Sequence, residues 1–327
     1  MLTKKRFLIL CTVIAVLFSA CKSTGKTGEG KESSTQEQTK NTLTKYPGTM
    51  LWRIDGVSQT GDPSTVYLLG TYHAGDQRAV EFPECVKTAI DSADRFCCEL
   101  SKSDWNNMQS MMTELTMQSV LTDLSHTFID DLTQEEIILV STFIDQQSLA
   151  QLVCFEPWVL NNYLQQILIL ASGLDVSKAY DVMIMQEIEK RQMDFDGLDP
   201  AQTQLDLIAY GDWDTQLVML RDTLSDLENL NASAKDMTDL YEVYLAGDEE
   251  AFEQAYYKDF DKDLQDETKR QIYQAYIKAL LADRNESWVP KIDEYIKKGG
   301  TTFIFAGCAH LVGPDSVFVY LKQNGVL

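Results

Sequence analysis

Two of the three histidines in this chain follow the same local pattern. Val66-Tyr67-Leu68-Leu69-Gly70-Thr71-Tyr72-His73 is an apolar run, then a glycine, two further residues and a histidine. Thr302-Phe303-Ile304-Phe305-Ala306-Gly307-Cys308-Ala309-His310 repeats the arrangement near the other end. Runs this rich in β-branched and aromatic residues read as buried strands, and glycine permits a close backbone approach. An imidazole just past such a strand stands where open α/β sheets bind ligands. Glu99, closing Arg95-Phe96-Cys97-Cys98-Glu99-Leu100, occupies a third position of this kind. Two imidazoles and a carboxylate from different strands can converge on one spot. That donor set can ligate a divalent metal and leave positions open for water and substrate. A metal held there lowers the pKa of its water and polarises a carbonyl, as hydrolysis at neutral pH requires.

Other residues have more ordinary readings beside the chemical one. A single histidine after a strand is commonly a hydrogen-bonded structural residue; the matched context of two is what favours function. His126, in Leu124-Ser125-His126-Thr127, lies outside any strand-end pattern and reads as a surface residue. Cys98 and Cys308 flank the expected site, but neither sits in a nucleophile elbow, so both read as packing residues. Arg284-Asn285, with Trp288 one turn later, is either a helix junction or a clamp for a carboxylate or oxyanion. Glu156-Pro157-Trp158 reads as a helix start with a core tryptophan.

The elements that would position these side chains follow from pattern. A strand over 50–54 pairs with the Val66 run through a turn at Gly61-Asp62-Pro63. Pro83 opens a helix to about residue 93, with Val86, Ala89, Ile90 and Ala93 on one face. The strand carrying Glu99 follows, giving a right-handed βαβ unit with its two strands side by side. From about 104 to 298 the pattern is helical, interrupted by a short strand over 193–195. A helix capped by Ser287, with Pro290 in its first turn, ends before Gly299-Gly300. The last strand covers 302–306 and a closing helix covers 315–323. The expected architecture is a mixed α/β (α+β) fold: a small central sheet with a βαβ unit and a terminal strand, plus a large helical insertion.

Composition limits the partners. The 327 residues carry a formal charge of −22, with a 44% hydrophobic fraction. Such a surface repels nucleic acid and anionic lipid headgroups. Of seven cysteines, five lie beyond residue 21, and no CxxC pair occurs, so neither a disulfide framework nor a cysteine zinc site is expected.

Lys4-Lys5-Arg6 and the apolar run 7–20 have the layout of a secretory signal and are too short to span a bilayer comfortably. Leu17-Phe18-Ser19-Ala20-Cys21 resembles a bacterial lipobox, which implies acylation of Cys21 and a lipid-anchored protein on the extracytoplasmic face of the cell membrane. Residues 21–45 are polar, with almost no large apolar side chain, and read as a disordered tether. The domain is expected over 46–327.

Taken together, these landmarks resemble the TraB/GumN family, which includes the TIKI-type metalloproteases. The resemblance rests on Tyr67 to His73, Glu99, Pro157-Trp158, Gly173-Leu174-Asp175 and Asp196-Gly197-Leu198-Asp199 with Gln204. Arg284-Asn285 with Trp288 and the terminal Gly307-Cys308-Ala309-His310-Leu311-Val312-Gly313 complete it. It implies a fold distantly like erythromycin esterase and the haem-binding ChaN proteins. It also implies metal-dependent hydrolysis of a peptide or protein substrate. His73, Glu99 and His310 would hold a divalent ion (Mn, Co or Zn), and Arg284 and Asn285 would orient substrate and stabilise an oxyanion. Two alternatives stand beside this. One is a metal-independent hydrolase of the erythromycin-esterase kind with a histidine base; the other is a non-catalytic surface lipoprotein that binds peptide, metal or haem.

Overall fold

The computed structural model describes residues 41–257 and 266–327. The expected leader, Cys21 and most of the expected tether lie outside these residues. Six strands form one mixed sheet: β1 (Thr42–Lys45), β2 (Leu51–Val57), β3 (Pro63–Thr71), β4 (Arg95–Cys98), β5 (Phe195–Gly197) and β6 (Gly300–Gly307). Their spatial order is β1-β2-β3-β6-β4-β5. The β1–β2 and β2–β3 pairs are antiparallel, whereas β3, β6, β4 and β5 run parallel. The mixed α/β class expected from pattern is the class observed.

Alternation along the strands builds a core on each face of the sheet. Ile54, Val66, Leu68 and Ile304 pack with Trp288, Ile292, Ile296 and Leu321, from the helices Asp283–Lys298 and Val317–Gln323. Leu51, Leu69, Phe96, Phe303 and Phe305 point the other way. They pack with Val86 and Ile90 of the helix Glu84–Asp91, and with Ile184 and Ile188 of the helix Tyr180–Lys190. A separate apolar cluster holds the helical insertion together. Leu160, Leu164 and Leu168 form a stripe at every fourth residue of the helix Pro157–Ser172. That stripe packs on Leu217, Leu220 and Leu224 of the helix Trp213–Glu228.

Three details differ from the sequence-based expectation. The βαβ strands β3 and β4 are parallel but not adjacent, because β6 inserts between them and pairs with both. Local pattern cannot reveal this, since β6 comes from the far end of the chain. The ordered sheet also begins inside the segment expected as tether: β1 adds to the edge of β2 through backbone pairing from Thr42↔Asp55 to Lys45↔Trp52. Backbone hydrogen bonds make that edge, so a polar sequence does not prevent it. Finally, Arg284 and Asn285 lie within the first turn of the helix Asp283–Lys298 rather than at a junction. The helix Glu267–Ile277 runs into it through a π-helical turn, Lys278–Ala282.

Candidate active site at the carboxyl rim of the sheet

All four parallel strands end at one rim, and each carries a polar residue just beyond its last pairing. His73 follows β3, Glu99 follows β4, Asp199 follows β5 and His310 follows β6. The rim stays in register because Leu198 and Asp199 donate backbone N–H bonds to Cys98 and Glu99 carbonyls, both at 2.8 Å. The two glycines of the repeated motif each make room for the other copy. A Cβ on Gly70 would lie 3.1 Å from Cys308 Cα, and one on Gly307 would lie 2.9 Å from His73 Nε2. His73, Glu99 and His310 line one cleft, with a cavity volume of about 70 Å³. Arg284 lines it too, while Asn285 stands behind His310. His126 is elsewhere, exposed and paired with Asp131.

The side chains divide into two linked groups. In the first, His73 Nδ1 lies 3.0 Å from Asp181 Oδ2, while Nε2 faces Glu99 Oε1 at 3.9 Å, beyond hydrogen-bond length. Burial disfavours charge on the His73 ring. The Asp181 carboxylate, with Glu99 opposite, more than offsets this and raises the His73 pKa to about 9. Burial would raise Glu99 likewise, but the Arg284 guanidinium, helped by the Gly307 N–H at 2.7 Å, holds it well below the usual carboxylate range. One group is kept protonated and its neighbour ionised.

The second group centres on Arg284, which is 5% exposed and keeps its charge. Nη2 donates to Glu99 Oε2 at 2.5 Å and to Asp199 Oδ2 at 2.6 Å, and Nε donates to Asp199 Oδ2 at 2.8 Å. Nη1 donates to the Leu280 carbonyl and approaches His310 Nε2 at 3.1 Å. A guanidinium has five N–H donors, and five contacts are made within the protein. Arg284 thus clamps the protein's own carboxylates and has no donor left for an oxyanion, contrary to the role expected for it. Asn285 is occupied in the same way. Its Nδ2 donates to the Asp315 carbonyl at 2.6 Å, so its Oδ1, 2.7 Å from His310 Nδ1, accepts. His310 is then the Nδ1–H tautomer, with its Nε2 lone pair turned to Arg284. Burial and that guanidinium push its pKa well below the ordinary value, so the ring is neutral. Trp288 completes the cage by donating Nε1–H to Asp199 Oδ1 at 2.6 Å and packing its ring 4.4 Å from that of His310.

This arrangement bears on the expected metal. His73 Nε2 and Glu99 Oε1 face each other, with Oε1 already accepting from the Gly307 N–H, and the third donor, His310 Nε2, faces a cation. Among the described residues no group of three or more His, Cys, Asp or Glu side chains is set to hold a metal ion. The three-donor set does not fit as it stands.

Four residues at or behind the site had no assigned role in the sequence reading. Asp199, Gln204 and Trp288 were visible only as landmarks of a resemblance. Gln204 lines the cleft and donates to Glu99 Oε2 at 3.2 Å. Asp181, in the first turn of the helix Tyr180–Lys190, gave no signal among 50 acidic residues. Only its packing against His73 marks it.

A model of the TraB/PrgY/gumN family matches residues 50–327. The chain belongs to the TraB/PrgY/gumN family. A relative in Treponema pallidum (strain Nichols), described only as an uncharacterized protein, is 24% identical over 332 residues. That alignment covers 99% of this chain and 92% of the relative. No solved structure matches the chain. The family match spans every rim residue from His73 to His310, so the cleft lies wholly within the family's domain.

Proposed function

We propose that this TraB/PrgY/gumN protein is a hydrolase of amide or ester bonds, acting through His73 and Glu99 on a peptide or protein substrate. One observation carries the reading. His73 Nε2 and Glu99 Oε1 face each other 3.9 Å apart across a cleft, the first held protonated by Asp181 and the second ionised by Arg284. Neighbouring groups whose proton affinities are pushed apart are the mark of an acid–base pair. Glu99 takes a proton from the attacking water while the water oxygen bonds to the acyl carbon. His73 gives its proton to the departing nitrogen or oxygen as that bond breaks. The products are an acid and an amine or alcohol, and proton return through solvent resets both groups. Gln204, whose second amide N–H is not used on Glu99, is the cleft donor left to steady the oxyanion.

A second reading is favoured by the same gap. His73 and Glu99 would hold a divalent ion, with Asp181 orienting the ring from behind. Such an ion would supply an acidified water and polarise the carbonyl. The experiment that separates these readings is cleavage of a peptide library, read by mass spectrometry, with and without complete chelation. Turnover that survives chelation and disappears in His73→Gln and Glu99→Gln supports the acid–base pair. Turnover lost on chelation and restored by Mn, Co or Zn supports the ion. A protein that binds peptides without cleaving them is the non-catalytic alternative.

The proposal includes a location. The leader and the Cys21 lipobox support export and a lipid anchor on the extracytoplasmic face of the membrane, and the charge of −22 argues against nucleic acid as a partner. Among the described residues no helix is long and apolar enough to cross a membrane. Labelled palmitate incorporated by the wild-type chain and not by Cys21→Ala is the expected outcome.

A further inference from the structure

Two polar atoms of the cleft have no partner. Thr71, at the end of β3, is fully buried, and its Oγ1 makes no hydrogen bond. It stands two residues before His73. Asp181 gives Oδ2 to His73 and leaves Oδ1 buried and equally unpartnered. Both residues line the cleft. Buried polar groups are nearly always hydrogen-bonded, so two exceptions in one cleft call for a ligand. An ionised carboxylate oxygen can only accept, and a threonine hydroxyl can accept as well. Asp181 Oδ1 lacks a donor, and the Thr71 hydroxyl, which donates as well as accepts, can take one too.

We propose that Thr71 Oγ1 and Asp181 Oδ1 form a subsite that accepts a backbone N–H of the substrate, so that the cleft selects amide over ester linkages. This rests on the hydrolase reading of the same cleft and narrows its substrate. Leu100, Trp105, Leu207 and Leu280 wall the cleft with apolar surface, which suits the side chains flanking a peptide N–H rather than a hydroxyl-rich sugar.

Thr71 is the residue to test, since changing Asp181 would also release His73. Thr71→Val keeps the shape and removes a hydroxyl that the empty protein leaves unpaired, so its melting temperature should hold or rise. The probes are a peptide cleaved by the wild type and its depsipeptide analogues, each replacing one N–H near the cleavage site by an ester oxygen. At one position the ester should lower kcat/KM about tenfold in the wild type and have no effect in Thr71→Val. An ester penalty that is the same in both proteins at every position overturns the subsite and leaves the hydrolase reading standing. Anisotropy of the fluorescein-labelled peptides on Glu99→Gln and on Glu99→Gln/Thr71→Val measures binding without turnover. If the wild type cleaves nothing but the peptide binds tighter than its ester in a Thr71-dependent way, the hydrolase reading falls and the subsite stands. If the peptide neither binds nor is cleaved, both fall.

Discussion

Arg284 Nη1 lies 3.1 Å from His310 Nε2, and this contact decides what the second histidine can do. It fixes His310 as a neutral ring whose only lone pair is already engaged. The two Gly-x-x-His motifs look alike in sequence, yet one histidine faces the open cleft and the other joins a cage around a guanidinium.

The cage should matter more for stability than for selectivity. Arg284→Ala leaves the Glu99 and Asp199 carboxylates buried without their common partner. Removing one member of a buried ion pair costs about 3–5 kcal/mol. Denaturant unfolding should show a loss of that order. Arg284→Lys keeps the charge but cannot make the five contacts, so it should recover only part of the loss. A stability for Arg284→Ala within about 0.5 kcal/mol of wild type, the range of ordinary surface changes, would contradict the clamp.

Asp181 should control the proton on His73. In Asp181→Asn the charge that raises the His73 pKa is gone, so the value should drop from about 9 toward or below the ordinary 6.5. Imidazole proton NMR across pH 5–10 reads this directly. If His73 titrates at the same pH in both proteins, Asp181 is not its source of charge.

The same shift predicts a pH window for folding. The folded pKa of His73 is raised, so its contribution is fully present below about pH 6.5 and fades as pH climbs through about 9. For a ring still partly open to solvent the contribution is on the order of 2 kcal/mol. Chemical denaturation at pH 6 and pH 10 should differ by about that much in the wild type, beyond the difference measured for Asp181→Asn.

Exchanging the glycines should separate positioning from stability. In Gly307→Ala the new Cβ lands 2.9 Å from His73 Nε2, the end of a side chain that can swing aside. Activity should fall about 100-fold through misplacement of His73, with little change in melting temperature. In Gly70→Ala the Cβ meets the Cys308 backbone, which cannot swing, so the melting temperature should fall. Equal effects of the two variants on stability would sink this distinction.

The sequence made the strands, the helical insertion and the positions of His73, Glu99 and His310 legible, because each depends on local pattern. A run of β-branched and aromatic residues ending in Gly-x-x-His carries its own strand and its own rim position. What stayed hidden depends on pairing. Nothing near Asp181 says that its helix lays a carboxylate on His73. Nothing near Arg284 says that a π turn, Lys278–Ala282, delivers it into the sheet rim with the Leu280 carbonyl as an acceptor. The roles expected for Arg284 and Asn285 came from residue type, which names the donors a side chain owns but not whether neighbours already hold them.

The placement of β6 has a consequence for how the rim comes together. This strand enters the sheet between β3 and β4, bringing Gly307, His310 and the partner surface for Gly70, and it follows the other five strands in chain order. Without β6, the strands that lead to His73 and Glu99 have no pairing with each other. The rim is whole only once β6 has paired with both neighbours, so no stretch of the chain that lacks it can assemble the cleft.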